Sequence, residues 1–105
     1  MAYFGQNALQ VRIAYETLGS YSIYDSYGVS SLGDNGTGFS EVNFSSTYAN
    51  ANYAVNANGQ QDSGGGARFC TFKNPATDHC EIEFRSLSNS SLDALRICVM
   101  CSGDE

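Results

Sequence analysis

Apolar and polar side chains alternate along most of this chain with a period of two, the signature of β-strands that bury one face. Leu9, Val11, Ile13 and Tyr15 alternate with Gln10, Arg12 and Ala14. A short second strand is predicted over Tyr21 to Tyr24 and a third over Tyr27 to Leu32. The third runs into Gly33, Asp34, Asn35, Gly36, Thr37 and Gly38, where Asn-Gly supplies the positive φ of a tight hairpin turn. The return strand, Phe39 to Ser45, sets Val42 and Phe44 against Glu41 and Asn43. Asn52 to Asn58 follows with Tyr53, Val55 and Ala57 on one face, and a polar, Gly-rich loop is expected from Gly59 to Gly66. Ala67 to Lys73 and His79 to Arg85 read as a further pair, joined through Asn74, Pro75, Ala76, Thr77 and Asp78. The last predicted strand, Ala94 to Cys101, is apolar on both faces apart from Arg96, with Leu95, Ile97 and Val99 on one and Cys98 and Met100 on the other. Such a strand is central in its sheet or lies at an interface.

These elements predict an all-β fold, a single antiparallel β-sandwich or small barrel of about seven to eight strands, with turn signals every 8 to 15 residues or roughly so. Residues 1–105 read as one domain. Composition agrees, since 14 Ser, 11 Gly and 9 Asn against one Pro favour turns and strands over helices, while 7 Tyr and 6 Phe supply core volume. Charge narrows the partners. The formal net charge is -6, and Arg12, Arg68, Lys73, Arg85 and Arg96 are scattered singly, which argues against a nucleic-acid surface. No apolar run approaches the roughly 20 residues of a spanning helix, and the N-terminus lacks a basic flank and apolar stretch, so neither membrane insertion nor export is expected.

Val29 to Phe44 reads VSSLGDNGTGFSEVNF and Ala51 to Val55 reads ANYAV. This pattern resembles a short β domain of tailed-bacteriophage tail fibre and appendage proteins, in which a Val-Ser-Ser strand leads through Asp-Asn-Gly-Thr-Gly into Val-Asn-Phe and an Ala-Asn-Tyr-Ala-Val strand follows. Gly28 stands where the family has Asn, Ala49 where Pro is common, and the four cysteines lie outside the pattern. The resemblance implies a bacteriophage virion structural protein, assembled in the bacterial host cytoplasm, without catalysis or cofactor. Its first implied role is a tail-fibre or baseplate-appendage subunit that contributes to host attachment. By analogy the partners are copies of itself in a homotrimer, other virion proteins of the tail or baseplate, and a host surface glycan or protein. The alternative is a capsid decoration, or cement, protein that stabilises the phage head. Asp34, Asn35, Gly36, Thr37 and Gly38 form one candidate receptor or partner contact, and Gln60, Gln61 and Asp62 of the Gly-rich loop form another. Polar Asn, Ser and Gly loops have the hydrogen-bonding chemistry of a recognition surface, although the turn is also explained as a folding element.

The cysteines leave several readings open. Cys70 and Cys80 lie equally far from Pro75, so a hairpin centred there would place them opposite each other for a disulfide; otherwise they pack as reduced core residues. Cys101, near the end of the sequence, is a candidate intermolecular tether. Cys98 and Cys101 are spaced as C-x-x-C, but within a strand they face opposite sides and cannot share one zinc ion, so no metal is expected. His79 beside Cys80 would likewise point away from it and reads as a solvent-facing turn histidine. Glu81 and Glu83 share a face like a glycosidase pair, and alternation with Ile82 and Phe84 already explains them as the wet side. Tyr21, Tyr24 and Tyr27 recur every three residues in surroundings that argue for strand and turn rather than helix.

Overall fold

The computed structural model describes residues 8–60, 68–86, 90, 92–94 and 96–104. Among the described residues there is no helix, and eight strands account for the regular structure. They are β1 (Ala8–Glu16), β2 (Ser22–Tyr27), β3 (Val29–Asp34), β4 (Phe39–Phe44), β5 (Ala54–Gln60), β6 (Arg68–Lys73), β7 (His79–Ser86) and β8 (Arg96–Asp104). Two four-stranded antiparallel sheets result: sheet I in the order β2-β1-β8-β5, sheet II in the order β3-β4-β7-β6. They pack face to face as a sandwich, and no strand pairing among the described residues closes them into a barrel.

The period-two pattern explains the packing. In sheet I, Val11, Ile13 and Tyr15 of β1 lie opposite Cys101, Val99 and Ile97 of β8, which in turn oppose Val55, Ala57 and Gly59 of β5. In sheet II the inward set is Val42 and Phe44 of β4 with Cys80, Ile82 and Phe84 of β7. Burying each large apolar side chain is worth about 1.5–3 kcal/mol. An exposed ion pair such as Arg12–Asp25, at 3.5 Å, is worth about 0.2–1 kcal/mol at most, so the inner rows hold the sheets together. The polar groups that enter the core are paired: Tyr15 Oη and Ser40 Oγ are 2.7 Å apart across the sheets, and buried Thr17 accepts from the Ala94 amide at 2.8 Å.

As expected of a doubly apolar strand, β8 is central, flanked by β1 and β5. It starts at Arg96 rather than Ala94, because Ala94 is held in the connection by Thr17; Leu95 lies outside the described residues. The predicted division of the Tyr21–Leu32 stretch shifts as well. β2 runs on to Tyr27, and Gly28 (φ 76°) makes the corner at which the chain leaves sheet I for sheet II. A Cβ on Gly28 would stand 2.8 Å from the Gln10 carbonyl oxygen, so the close approach requires glycine there.

The β3–β4 hairpin forms where expected and Gly36 of Asn-Gly takes a positive φ; Asp34 pairs with Ser40, the Phe39 amide donates to the Gly36 carbonyl at 3.0 Å, and Gly38 supplies a second positive φ. The other hairpin differs from the expectation. The β6–β7 hairpin is centred on Thr77 rather than Pro75, since Lys73 pairs with Glu81. Asn74 takes a positive φ of 47° and the Ala76 amide donates to the His79 carbonyl, so the loop spends its residues asymmetrically. Cys70 therefore lies opposite Phe84, not Cys80. Four residues of strand, on the order of 13 Å, separate that position from Cys80, beyond what a disulfide spans. All four cysteines are free thiols.

The core can be probed in two ways. A Cβ on Gly59 would stand 2.2 Å from Cε1 of the buried Phe84 ring, so Gly59→Ala should lower stability by about 1–3 kcal/mol in urea denaturation. Burial also drives the ionisation of Tyr15, Tyr48 and Tyr53 far above the usual tyrosine range. The unfolded chain loses these protons near pH 10 while the folded chain keeps them, so stability is intact below that pH and falls as pH rises above it. The loss should reach about 1.4 kcal/mol per pH unit for each tyrosine held protonated. Ultraviolet titration should show these phenols ionising only together with loss of the sheet circular dichroism signal.

Candidate functional site

The two outer faces of the sandwich differ in chemistry. On sheet I, the register lines up Tyr27, Arg12, Met100 and Asn56 in one row across all four strands, and Asp25, Ala14, Cys98 and Asn58 in the next. A register shift beside Ala14 leaves Tyr24 as the extra residue of β2, and this bulge aims its ring outward. The Arg96 guanidinium lies 4.6 Å from the Tyr24 ring centroid and that of Arg12 5.4 Å from the Tyr27 centroid. Tyr24 Oη donates to Glu16 Oε1 at 2.8 Å, and that bond raises the ionisation of the phenol above its ordinary range. Two aromatic rings are thus pre-ordered by cation–π contacts around Met100, which is 62% exposed. Among the described residues this face holds no lysine, and its Tyr, Arg and Met content is that of an interface centre.

The outer face of sheet II is a charged network. Glu83 accepts from Arg85 at 2.8 Å and lies 3.8 Å from Lys73 Nζ, and both cations stand over the Phe39 ring, at 5.2 and 4.9 Å. Beside it Glu41 pairs directly with Glu81 across β4 and β7, and His79 is the next residue on the same face. The ligand atoms of Glu41, His79 and Glu81 lie within 4.8 Å of one another, so a metal ion could be held there by two carboxylates and an imidazole. Asp78 Oδ1, 2.7 Å from His79 Nδ1, orients that ring. Asn35 and Asn74 each donate to one of the two glutamates at 3.4 Å. An open cleft of about 320 Å³ adjoins the cluster, lined by Asn35, Phe39, Ser40, Lys73, Glu81 and Ile82.

The sequence-predicted contact residues separate into three groups. Asp34, Asn35, Gly36 and Thr37 are exposed at the tip of the β3–β4 hairpin, where Asp34 Oδ1 accepts from the Gly36 amide at 2.9 Å. Gly38 is buried and leaves the contact set: its amide donates to Asp93 Oδ1, its carbonyl accepts from Phe84, and a Cβ would stand 2.8 Å from the Leu92 nitrogen. Gln60 is not in a loop but ends β5, paired with Arg96, and Gln61 and Asp62 lie outside the described residues.

Cys101 is also corrected. It is 4% exposed, so its thiol cannot reach a neighbouring subunit, and Cys98 is the exposed thiol of that strand. Burial pushes the half-buried Cys70 thiol up to about 12. His79 and Cys80 face opposite sides as alternation predicts, and Glu81 and Glu83 lie on the outer face. Sequence reasoning missed the Arg–Tyr stacks, because Arg12 and Tyr27, or Arg96 and Tyr24, share no local pattern. Only the order β2-β1-β8 brings them together. No family model, curated protein or solved structure matches this chain.

The split within the turn can be measured. Thr37→Ala, at an exposed position, should change stability by less than about 0.5 kcal/mol. Gly38→Ala, strained at φ 77° and crowded by backbone atoms, should cost more than about 1 kcal/mol in the same urea titration.

Proposed function

We propose that this chain is a structural subunit of a tailed-bacteriophage virion, built into a tail fibre or baseplate appendage as a homotrimer, with no catalytic role. Phage origin rests on the resemblance of Val29–Phe44 and Ala51–Val55 to fibre and appendage domains. The assembly role rests on one observation, the outer face of sheet I, where Tyr24, Tyr27, Arg12, Arg96 and Met100 are exposed together. Tyrosine and arginine are the residue types that dominate binding energy at protein interfaces. Because the cation–π stacks already order these side chains, little rotamer freedom is lost when another copy covers them. A sandwich of this size also gains by burying further apolar surface against itself. The exposed hairpin tip from Asp34 to Thr37 belongs to sheet II, not to the sheet that carries that face, and is the part left to meet a host glycan or protein.

Light scattering of the purified chain should give a trimer, and Met100→Glu should convert it to monomer while the sheet circular dichroism is unchanged. A monomeric wild type would overturn the assembly reading. Immunogold electron microscopy of virions should place antibody against this chain at the tail end; label spread over the shell would instead make it a cement protein.

A further inference from the structure

Two of the four thiols meet inside the sandwich, on strands of different sheets. Cys80 of β7 is fully buried and lies beside Val42 of β4; Cys101 of β8 is 4% exposed and lies between Val11 and Val55. These positions are inward on their own sheets and belong to one core cluster, with Val42, Val11 and Val55 around the two thiols. The segment from Ser45 to Tyr53 closes the same end of the core. Tyr53 Oη is 2.8 Å from the Ala76 carbonyl and 2.9 Å from that of His79, on the sheet II side. On the sheet I side a Cβ at Gly103 would stand 2.5 Å from Tyr53 Cβ. The ring of Tyr53 stacks on Tyr48 with centroids 4.3 Å apart, and both rings belong to the same buried cluster as the two thiols. One residue thus touches the strand neighbour of Cys80 and the inward neighbour of Cys101, and the two thiols are close enough to shift each other's ionisation, that of Cys80 up and that of Cys101 down.

We propose that Cys80 and Cys101 are the site of an intramolecular inter-sheet disulfide, open in the reduced chain described above and closed by a peroxide oxidant. Inter-sheet bridges of this kind are compatible with the spacing of sandwich sheets, as in antibody domains. Oxidation can begin at either sulfur with the same products; beginning at Cys101, it takes two steps. The Cys101 thiolate attacks one oxygen of hydrogen peroxide, the O–O bond breaks, and Cys101 becomes a sulfenic acid as hydroxide leaves and takes up a proton. The Cys80 sulfur then attacks the Cys101 sulfur, the S–O bond breaks, and the hydroxyl leaves as water with the Cys80 proton. Two thiols are oxidised by two electrons, and one peroxide is reduced to two waters. The bond ties β7 to β8 and closes a loop through the chain between them, so the oxidised sandwich resists unfolding more than the reduced one. This site is independent of the virion reading, since it concerns the core alone.

The test uses the full chain and a Cys70→Ser/Cys98→Ser variant, in which only the two proposed partners remain. After treatment with hydrogen peroxide, intact mass should fall by two hydrogen atoms per chain. Trypsin should then release residues 74–85 linked to 97–105, and dithiothreitol should restore both the mass and the separate peptides. The urea midpoint of the oxidised variant should rise, and return on reduction. Free thiols, sulfinic acid, or a dimer on a non-reducing gel, in a sample whose circular dichroism remains that of the folded sheet, would overturn the proposal. So would a full-length chain in which Cys70 and Cys98 are linked and Cys80 and Cys101 are not.

Discussion

Everything in this molecule depends on two apolar inner faces being held about 10 Å apart with nothing but side chains between them. No helix supplies additional cover among the described residues, so each strand contributes alternate residues to one narrow layer. That layer explains where glycine is required. Gly59 gives up its side chain so that the Phe84 ring can fill the space beneath β5, and Gly28 allows the chain to turn from one sheet to the other against the backbone of β1. It also explains the buried phenols, since Tyr15, Tyr48 and Tyr53 span the layer with their rings while their hydroxyls find Ser40 or backbone partners, or end near other polar groups of the core.

Because the inner layer accounts for the shared architecture, individuality is left to the outer faces. Sheet II spends its outer face on carboxylates, each held by a cation, an asparagine amide or a neighbouring imidazole. Sheet I presents tyrosine, arginine and methionine in register. Net charge of -6 and a wet, networked face suit solubility, whereas an ordered aromatic face suits contact with protein. The proposed trimer uses this division: one face turned inward to other copies, the hairpin tip and charged face turned outward.

The cysteines show why strand register matters more than spacing. Cys70 and Cys80 are symmetric about the only proline, but a five-residue connection containing one positive φ displaces the hairpin centre and separates them. Cys80 and Cys101, twenty-one residues apart and on strands that never pair, meet because both point into the same layer from opposite sides.

Much of the fold is legible in the amino-acid sequence, since period-two alternation is imposed locally by the pleat and survives in any sheet arrangement. Val11, Ile13 and Tyr15, or Ile82 and Phe84, can be assigned to the core because an alternating strand has only one apolar side. The central position of β8 is legible for the same reason, from apolar residues on both of its faces. The choice of sandwich over barrel, the turn centres and the identity of exposed and buried cysteines are not. They depend on which strands become neighbours and on how many residues each connection consumes, and those are long-range quantities. The sequence by itself thus determined strand identity and facing, through a rule that acts over two residues. Only the tertiary structure decided that Tyr24 meets Arg96, that Gly38 is buried, and that Cys80 meets Cys101, because each is a contact between segments whose proximity the packing of the two sheets creates.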